Sequence, residues 1–122
     1  MGYDHLGFNV QNFLASRDFY IRLLAPLDIG VIHETAEWAM FGEDGRGLLW
    51  IGSYGDPPGP IHFAFKARDR AAVHAFHAAG LEAGGRDNGA PGLRPQYHAG
   101  YYAAFVIDPD GHNVEAVLHE PA

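Results

Sequence analysis

The chain carries one short pattern twice. His5-Leu6-Gly7-Phe8-Asn9-Val10 is matched by His62-Phe63-Ala64-Phe65-Lys66-Ala67, and the same displacement lays Phe19 on Phe76. Each copy opens with strand-like alternation and runs on into a helical pattern. A chain built this way has to fold as two similar modules, which constrains it more than any other feature.

In the first copy, Leu6, Phe8 and Val10 are expected on one strand face and His5, Gly7 and Asn9 on the other. Residues 12–24 should form a helix with Asn12 as N-cap, since Phe13, Phe19, Tyr20, Leu23 and Leu24 approximate one helical face. Pro26 and Gly30 then punctuate the chain. Three strands are expected near 31–35, 37–41 and 47–53, with a turn at 42–45 between the last two. A Gly- and Pro-rich linker at 55–60 separates the halves. The second half restarts with a strand at 61–67, followed by a helix at 70–79 that Asp69 caps and Gly80 ends. The Gly- and Pro-rich stretch 84–100 reads as a short strand and then a loop, without phosphate-loop spacing. Two strands follow at 101–107 and 112–118. Asp108-Pro109-Asp110-Gly111 forms the hairpin turn between them.

Each half is therefore strand–helix–strand–strand–strand. One helix can cover only one face of a four-stranded sheet, which leaves the other face curved and available. The fold class expected is α+β: two βαβββ modules, about 1–56 and 61–120, forming a cup-shaped mixed sheet with helices on the outer face. With 122 residues, 48% of them hydrophobic, the chain is one globular domain.

Composition narrows the function classes. A net charge of −7 with a single lysine argues against a nucleic-acid partner. No apolar run approaches the roughly 18 residues of a membrane span, and no signal peptide or myristoylation pattern is visible. The absence of cysteine removes thiolate chemistry and Cys-based zinc sites. A cytoplasmic location is the expectation.

Strand parity places the chemistry. With the bulky apolar residues turned to the helices, His5, His62 and Glu115 all fall on the uncovered face. A carboxylate on a half-enclosed face needs a partner, and two imidazoles with one carboxylate can hold one divalent cation with positions left open. Fe, Mn, Zn and Ni are not distinguished by this donor set. His98, Tyr101 and Tyr102 lie near the start of the seventh strand, and parity alone does not decide which tyrosine turns inward. His98 is the candidate general acid or base. Arg94 could bind a carboxylate, Trp50 could form an apolar wall, and Asn9 shares the face of His5, so these three are candidate substrate contacts. His74 and His77, three apart on the second helix, could chelate a surface metal but lack a third ligand. His33, His112 and His119 read as surface or edge residues, though His119 shares the face of Glu115 and could support a ligand there.

The chain resembles the vicinal oxygen chelate superfamily, which includes glyoxalase I, extradiol ring-cleavage dioxygenases, fosfomycin-resistance proteins and bleomycin-resistance proteins. The resemblance rests on Asp4-His5-Leu6, on Ile61-His62-Phe63-Ala64-Phe65 and above all on the run from Tyr101 to Glu115, which includes Asp108-Pro109-Asp110-Gly111-His112. It implies two βαβββ modules around a divalent metal held by His5, His62 and Glu115, chelating a small oxygen-rich substrate. It also implies a homodimer, with sites that can take one module from each chain. Trp50 falls where glyoxalase I has a carboxylate ligand, which disfavours that reaction. Gly7 replaces the Thr of the fosfomycin-resistance proteins. Two His and one Glu match the extradiol ligand set, with His98 and Tyr101 or Tyr102 in the right region as catalytic residues. The rival reading is a metal-free, bleomycin-resistance-like binding protein.

Overall fold

A computed structural model describes residues 2–121. The first module comprises β1 (Leu6–Asn9), α1 (Phe13–Leu24), a 3-10 turn (Ala25–Leu27), β2 (Gly30–Glu34), β3 (Trp38–Glu43) and β4 (Arg46–Gly52). The second comprises β5 (His62–Lys66), α2 (Arg70–Glu82), β6 (Arg86–Leu93), β7 (Tyr101–Ile107) and β8 (Asn113–His119). The sheets have the orders β1-β4-β3-β2 and β5-β8-β7-β6. In each, the outer pair β1–β4 or β5–β8 is parallel and the others are antiparallel. This is the α+β architecture of two βαβββ modules, hydrogen-bonded as two separate ladders with β1 and β5 as edge strands.

Local chemistry sets the element ends. Asn12 accepts from Ala15 N at 3.1 Å and Asp69 from Ala72 N at 2.8 Å, so both helices have the side-chain N-caps expected of them. Between β3 and β4 the reversal is tighter than the 42–45 turn expected. Asp44 and Gly45 both have positive φ, 49° and 74°, as a two-residue hairpin needs.

Two further expectations are corrected. Gly80 does not end α2. It lies inside the helix, which runs on to Glu82; a Cβ there would come within 2.8 Å of Leu23 and 2.9 Å of Val106, so its bareness lets α2 approach α1 and β7. The helix ends beyond it, where Gly84 takes φ +99°. The second correction is β6, a full eight-residue strand containing Pro91. It pairs only with β7 and carries register shifts around Gly89, which is how an edge strand accommodates proline.

One core joins the modules. Phe19, Tyr20, Leu23 and Leu24 of α1, Val73 and Phe76 of α2, and helix-facing residues of both sheets such as Leu49, Ile51, Val106 and Val114 are fully or almost fully buried in it. A polar tie crosses it, the Tyr20 hydroxyl donating to Asp108 at 2.5 Å. The helix-bearing faces thus meet, and the opposite sheet faces are left for other uses. Leu6, expected inside, is 36% exposed at the start of β1, whereas Phe8 and Val10 are buried.

Candidate functional site

The parallel β5–β8 ladder sets Ala64 against Glu115 and His62 against Asn113. From there His62 Nε2 reaches Glu115 Oε1 at 2.8 Å, and the Tyr101 hydroxyl donates to Glu115 Oε2. Glu115 is 1% exposed, on a face otherwise covered by Ala103, Phe105 and Val117, a small apolar cluster distinct from the main core. Burial, and then the hydrogen bond to this carboxylate, pushes the Tyr101 phenol well above its ordinary pKa. The tyrosine left open by parity is thereby decided. Tyr102 points to the helix side, bonded to His74 and stacked under the Arg70 guanidinium, which itself pairs with Glu120. It is not part of this face.

His5 is exposed and just precedes β1. Its Nδ1 lies 2.8 Å from Asp4 Oδ1. A carboxylate at one ring nitrogen leaves the other, Nε2, free to act as a ligand. His5 and His62 border one cavity of about 580 Å³ between β1 and β5, together with Leu6, Ile61, Phe63 and Phe65. Among the described residues, however, no three His, Cys, Asp or Glu side chains come close enough to hold one ion. The chain brings His62 and Glu115 together and leaves His5 apart.

Trp50 pairs with Gly7 across the β1–β4 ladder, the register place that Glu115 holds opposite Ala64. It stacks on Tyr54 with ring centroids 6.0 Å apart and packs near Trp38 at 6.4 Å. Asn9 Oδ1 accepts from Tyr54 N at 3.0 Å and so anchors this aromatic group. Arg94 lies over the Phe105 ring and donates to the carbonyls of Gly92 and Ala90, so its guanidinium braces its own loop. His98 places Nδ1 2.7 Å from Ala99 O and Nε2 2.9 Å from His119 Nδ1.

Three other histidines have partners away from this face. His77 pairs with Asp87 at 2.9 Å while His74 bonds Tyr102, so the two do not share a ligand. His112 is fully buried, correcting its reading as a surface residue. It accepts from Ile61 N at 3.1 Å and packs against Phe8 and Phe63. Asp108, also buried, accepts from Asp110 N, His112 N and the Tyr20 hydroxyl. An acid opening a Pro-Asp-Gly turn was the available signal for this role.

The donor chemistry suits a divalent cation, with imidazole nitrogen and carboxylate oxygen and no sulfur. His62 Nε2 and Glu115 Oε1 are in direct contact at 2.8 Å, so both donor atoms face one point on the sheet. The pair fits two positions of a metal site.

Two βαβββ modules, each one helix on a four-stranded mixed sheet with a parallel outer pair, set the class of this chain as a small, doubled α+β fold. Residues 2–116 match the family model of the Glyoxalase/Bleomycin resistance protein/Dioxygenase superfamily, and the chain belongs to that superfamily. It is similar to a glyoxalase/bleomycin resistance protein from Albidiferax ferrireducens T118, with 28% identity, a TM-score of 0.82 and 98% of each chain covered. A glyoxalase-related enzyme from Fulvimarina pelagi has TM-score 0.74 at 17% identity, covering 97% of this chain and 88% of that one. Lactoylglutathione lyase from Agrobacterium tumefaciens has TM-score 0.70 at 17% identity, covering 96% of this chain and 92% of its own. These last two likenesses carry the fold alone. No curated protein matches the chain. No helix among the described residues is long and apolar enough to cross a membrane.

Proposed function

We propose that the chain is one subunit of a homodimeric, divalent-metal-dependent enzyme acting on a small oxygen-rich molecule. His62 and Glu115 would supply two ligands, and His5 of the partner subunit the third. The observation that carries this reading is the Glu115 carboxyl group, almost fully buried on an apolar face with the His62 imidazole against it and, among the described residues, no Lys or Arg at ion-pair distance. A cation between Glu115 and His62 would balance that charge. When bound, such an ion supplies Lewis-acid polarisation of a substrate oxygen. The chain's own part is to orient Glu115 through Tyr101, to hold His5 in one tautomer through Asp4, and to exclude water with Phe105 and Val117.

The reaction type favoured is extradiol-dioxygenase-like over glyoxalase-like. Trp50 stands at the register place where glyoxalase I would carry a carboxylate, and an indole can neither ligate the ion nor move the substrate proton. A second reading, a metal-free binding protein, is favoured by the Trp38–Trp50–Tyr54 group, whose partly exposed rings could grip an apolar ligand without any ion.

Metal titration separates the two. Purified protein reconstituted with zinc, manganese or ferrous iron is expected to retain about one ion per subunit, and His62→Ala is expected to lower affinity by roughly 100-fold or more. No stoichiometric ion after reconstitution overturns the enzyme reading. Sedimentation showing only monomer, with metal still bound, overturns the shared site.

A further inference from the structure

The fully buried His112 ring lies just before β8, where β1, β5 and β8 come together. It meets Phe8 of β1 with centroids 4.8 Å apart and Phe63 of β5 at 6.5 Å, and the two phenyl rings are 5.7 Å from each other. β1 and β5 are the ends of separate ladders, and this aromatic trio spans the seam between them.

The imidazole also extends the β5–β8 ladder. Asn113 N donates to Ile61 O at 2.9 Å, a backbone rung of the parallel pairing. The next rung would need an acceptor for Ile61 N on residue 111. There the chain has already turned away, with Gly111 at φ +91° and its own N–H closing the turn on Asp108 O at 3.0 Å. His112 Nδ1 supplies the acceptor instead, 3.1 Å from Ile61 N. Both backbone polar groups of the residue before His62 are thus held by residues 112 and 113. A neutral ring accepting at Nδ1 carries its proton on Nε2, and Nε2 is buried without a partner among the described residues. An orphaned buried donor is unfavourable, so packing alone would favour a phenyl ring here. What the imidazole adds is the acceptor.

We propose that His112 is a positioning residue for the His62–Glu115 pair: its Nδ1 pins Ile61 N and so fixes the register of β5 on β8 that sets His62 against Glu115. A slip of one residue would turn His62 to the other face of the sheet, and a loosened first rung would let its imidazole leave the carboxyl oxygen now 2.8 Å away. The effect of His112 on a bound ion rests on the reading of this pair as two metal ligands. Its effect on the His62–Glu115 contact does not.

Two variants of the full-length protein separate the nitrogen from the ring. His112→Phe keeps a buried ring and removes the acceptor together with the orphaned N–H. His112→Asn gives up the ring and can place its Oδ1 near the position of Nδ1. The readouts are hydrogen exchange at the Ile61 amide, the ¹⁵N shifts of the His62 side chain, and zinc affinity. His112→Phe is expected to exchange Ile61 several-fold faster, to shift both His62 nitrogens, and to weaken zinc by roughly 10–100-fold. His112→Asn, though less stable, is expected to restore the amide protection, the shifts and most of the zinc affinity. Wild-type exchange and shifts in His112→Phe, or losses in His112→Asn as large as those in His112→Phe, would overturn the proposal. If phenylalanine prevents folding, the asparagine variant decides: a protected Ile61 amide supports the role and an unprotected one overturns it. Absence of zinc uptake by the wild-type protein counts against the metal reading alone, because amide exchange and the His62 shifts then still decide this inference.

Discussion

Trp50 and Glu115 hold the same place in two copies of one module, each paired across a parallel ladder with the residue two positions after a strand-opening histidine. One copy keeps a carboxylate there and the other an indole, so the duplicated fold presents two chemically different faces. The indole lies over Gly52, where a Cβ would sit 2.3 Å from its ring. Gly52→Ala is therefore expected to swing Trp50 away from Tyr54 and Trp38. Tryptophan fluorescence and near-UV circular dichroism should change clearly. Stability should fall by only about 1 kcal/mol, the low end for overpacking, because the displaced ring is partly exposed.

Tyr20→Phe tests the tie between the modules. The change deletes one of three donors to a buried carboxylate and leaves Asp108 Oδ2 without its phenol. A loss of about 1–3 kcal/mol is expected in urea unfolding. A shift below a few tenths would show that the bond contributes nothing.

At Gly80 two effects of opposite sign compete. Alanine in a helix interior is favoured over glycine by about 0.5–1 kcal/mol, whereas overpacking against Leu23 and Val106 costs about 1–3 kcal/mol. Gly80→Ala should therefore destabilise on balance. A rise in the thermal midpoint would mean that the helix–helix contact relaxes more readily than the 2.8 Å approach implies.

Two phenols make stability fall in alkali. Burial and the Asp108 carboxylate raise Tyr20, and burial and Glu115 raise Tyr101. A tyrosine whose folded pKa exceeds its unfolded value of about 10 keeps its proton longer when folded. That contribution is complete below about pH 10 and is lost as the pH climbs through the folded values. Ultraviolet titration is expected to fall short of the full tyrosinate signal of six residues until the protein unfolds. A complete signal from folded protein would contradict the burial of Tyr20 and the hydrogen bond from Tyr101 to Glu115.

How much of this was legible in the sequence can be argued residue by residue. The repeat beginning at His5 and His62 pointed to two modules, Asn12 and Asp69 marked both helix starts, and strand parity put His62 and Glu115 on one face. Those are local properties, since side-chain direction along a strand and hydrogen bonding at a helix end depend on residues a few positions apart.

Other features depend on what packs across the chain, and local pattern could not supply them. Gly80, inside α2, packs where Leu23 and Val106 leave no room for a Cβ, and His112 is buried with Phe8 and Phe63 against it. The tyrosine at the site is Tyr101 because Glu115 meets it from the neighbouring strand, and His98 loses its free nitrogen to His119. By itself the sequence determined the order of the two modules' elements and the shared face of His62 and Glu115. Only the tertiary structure decided which candidates touch, because contact is a distance between strands and helices far apart in the chain, and spacing along the backbone does not encode it.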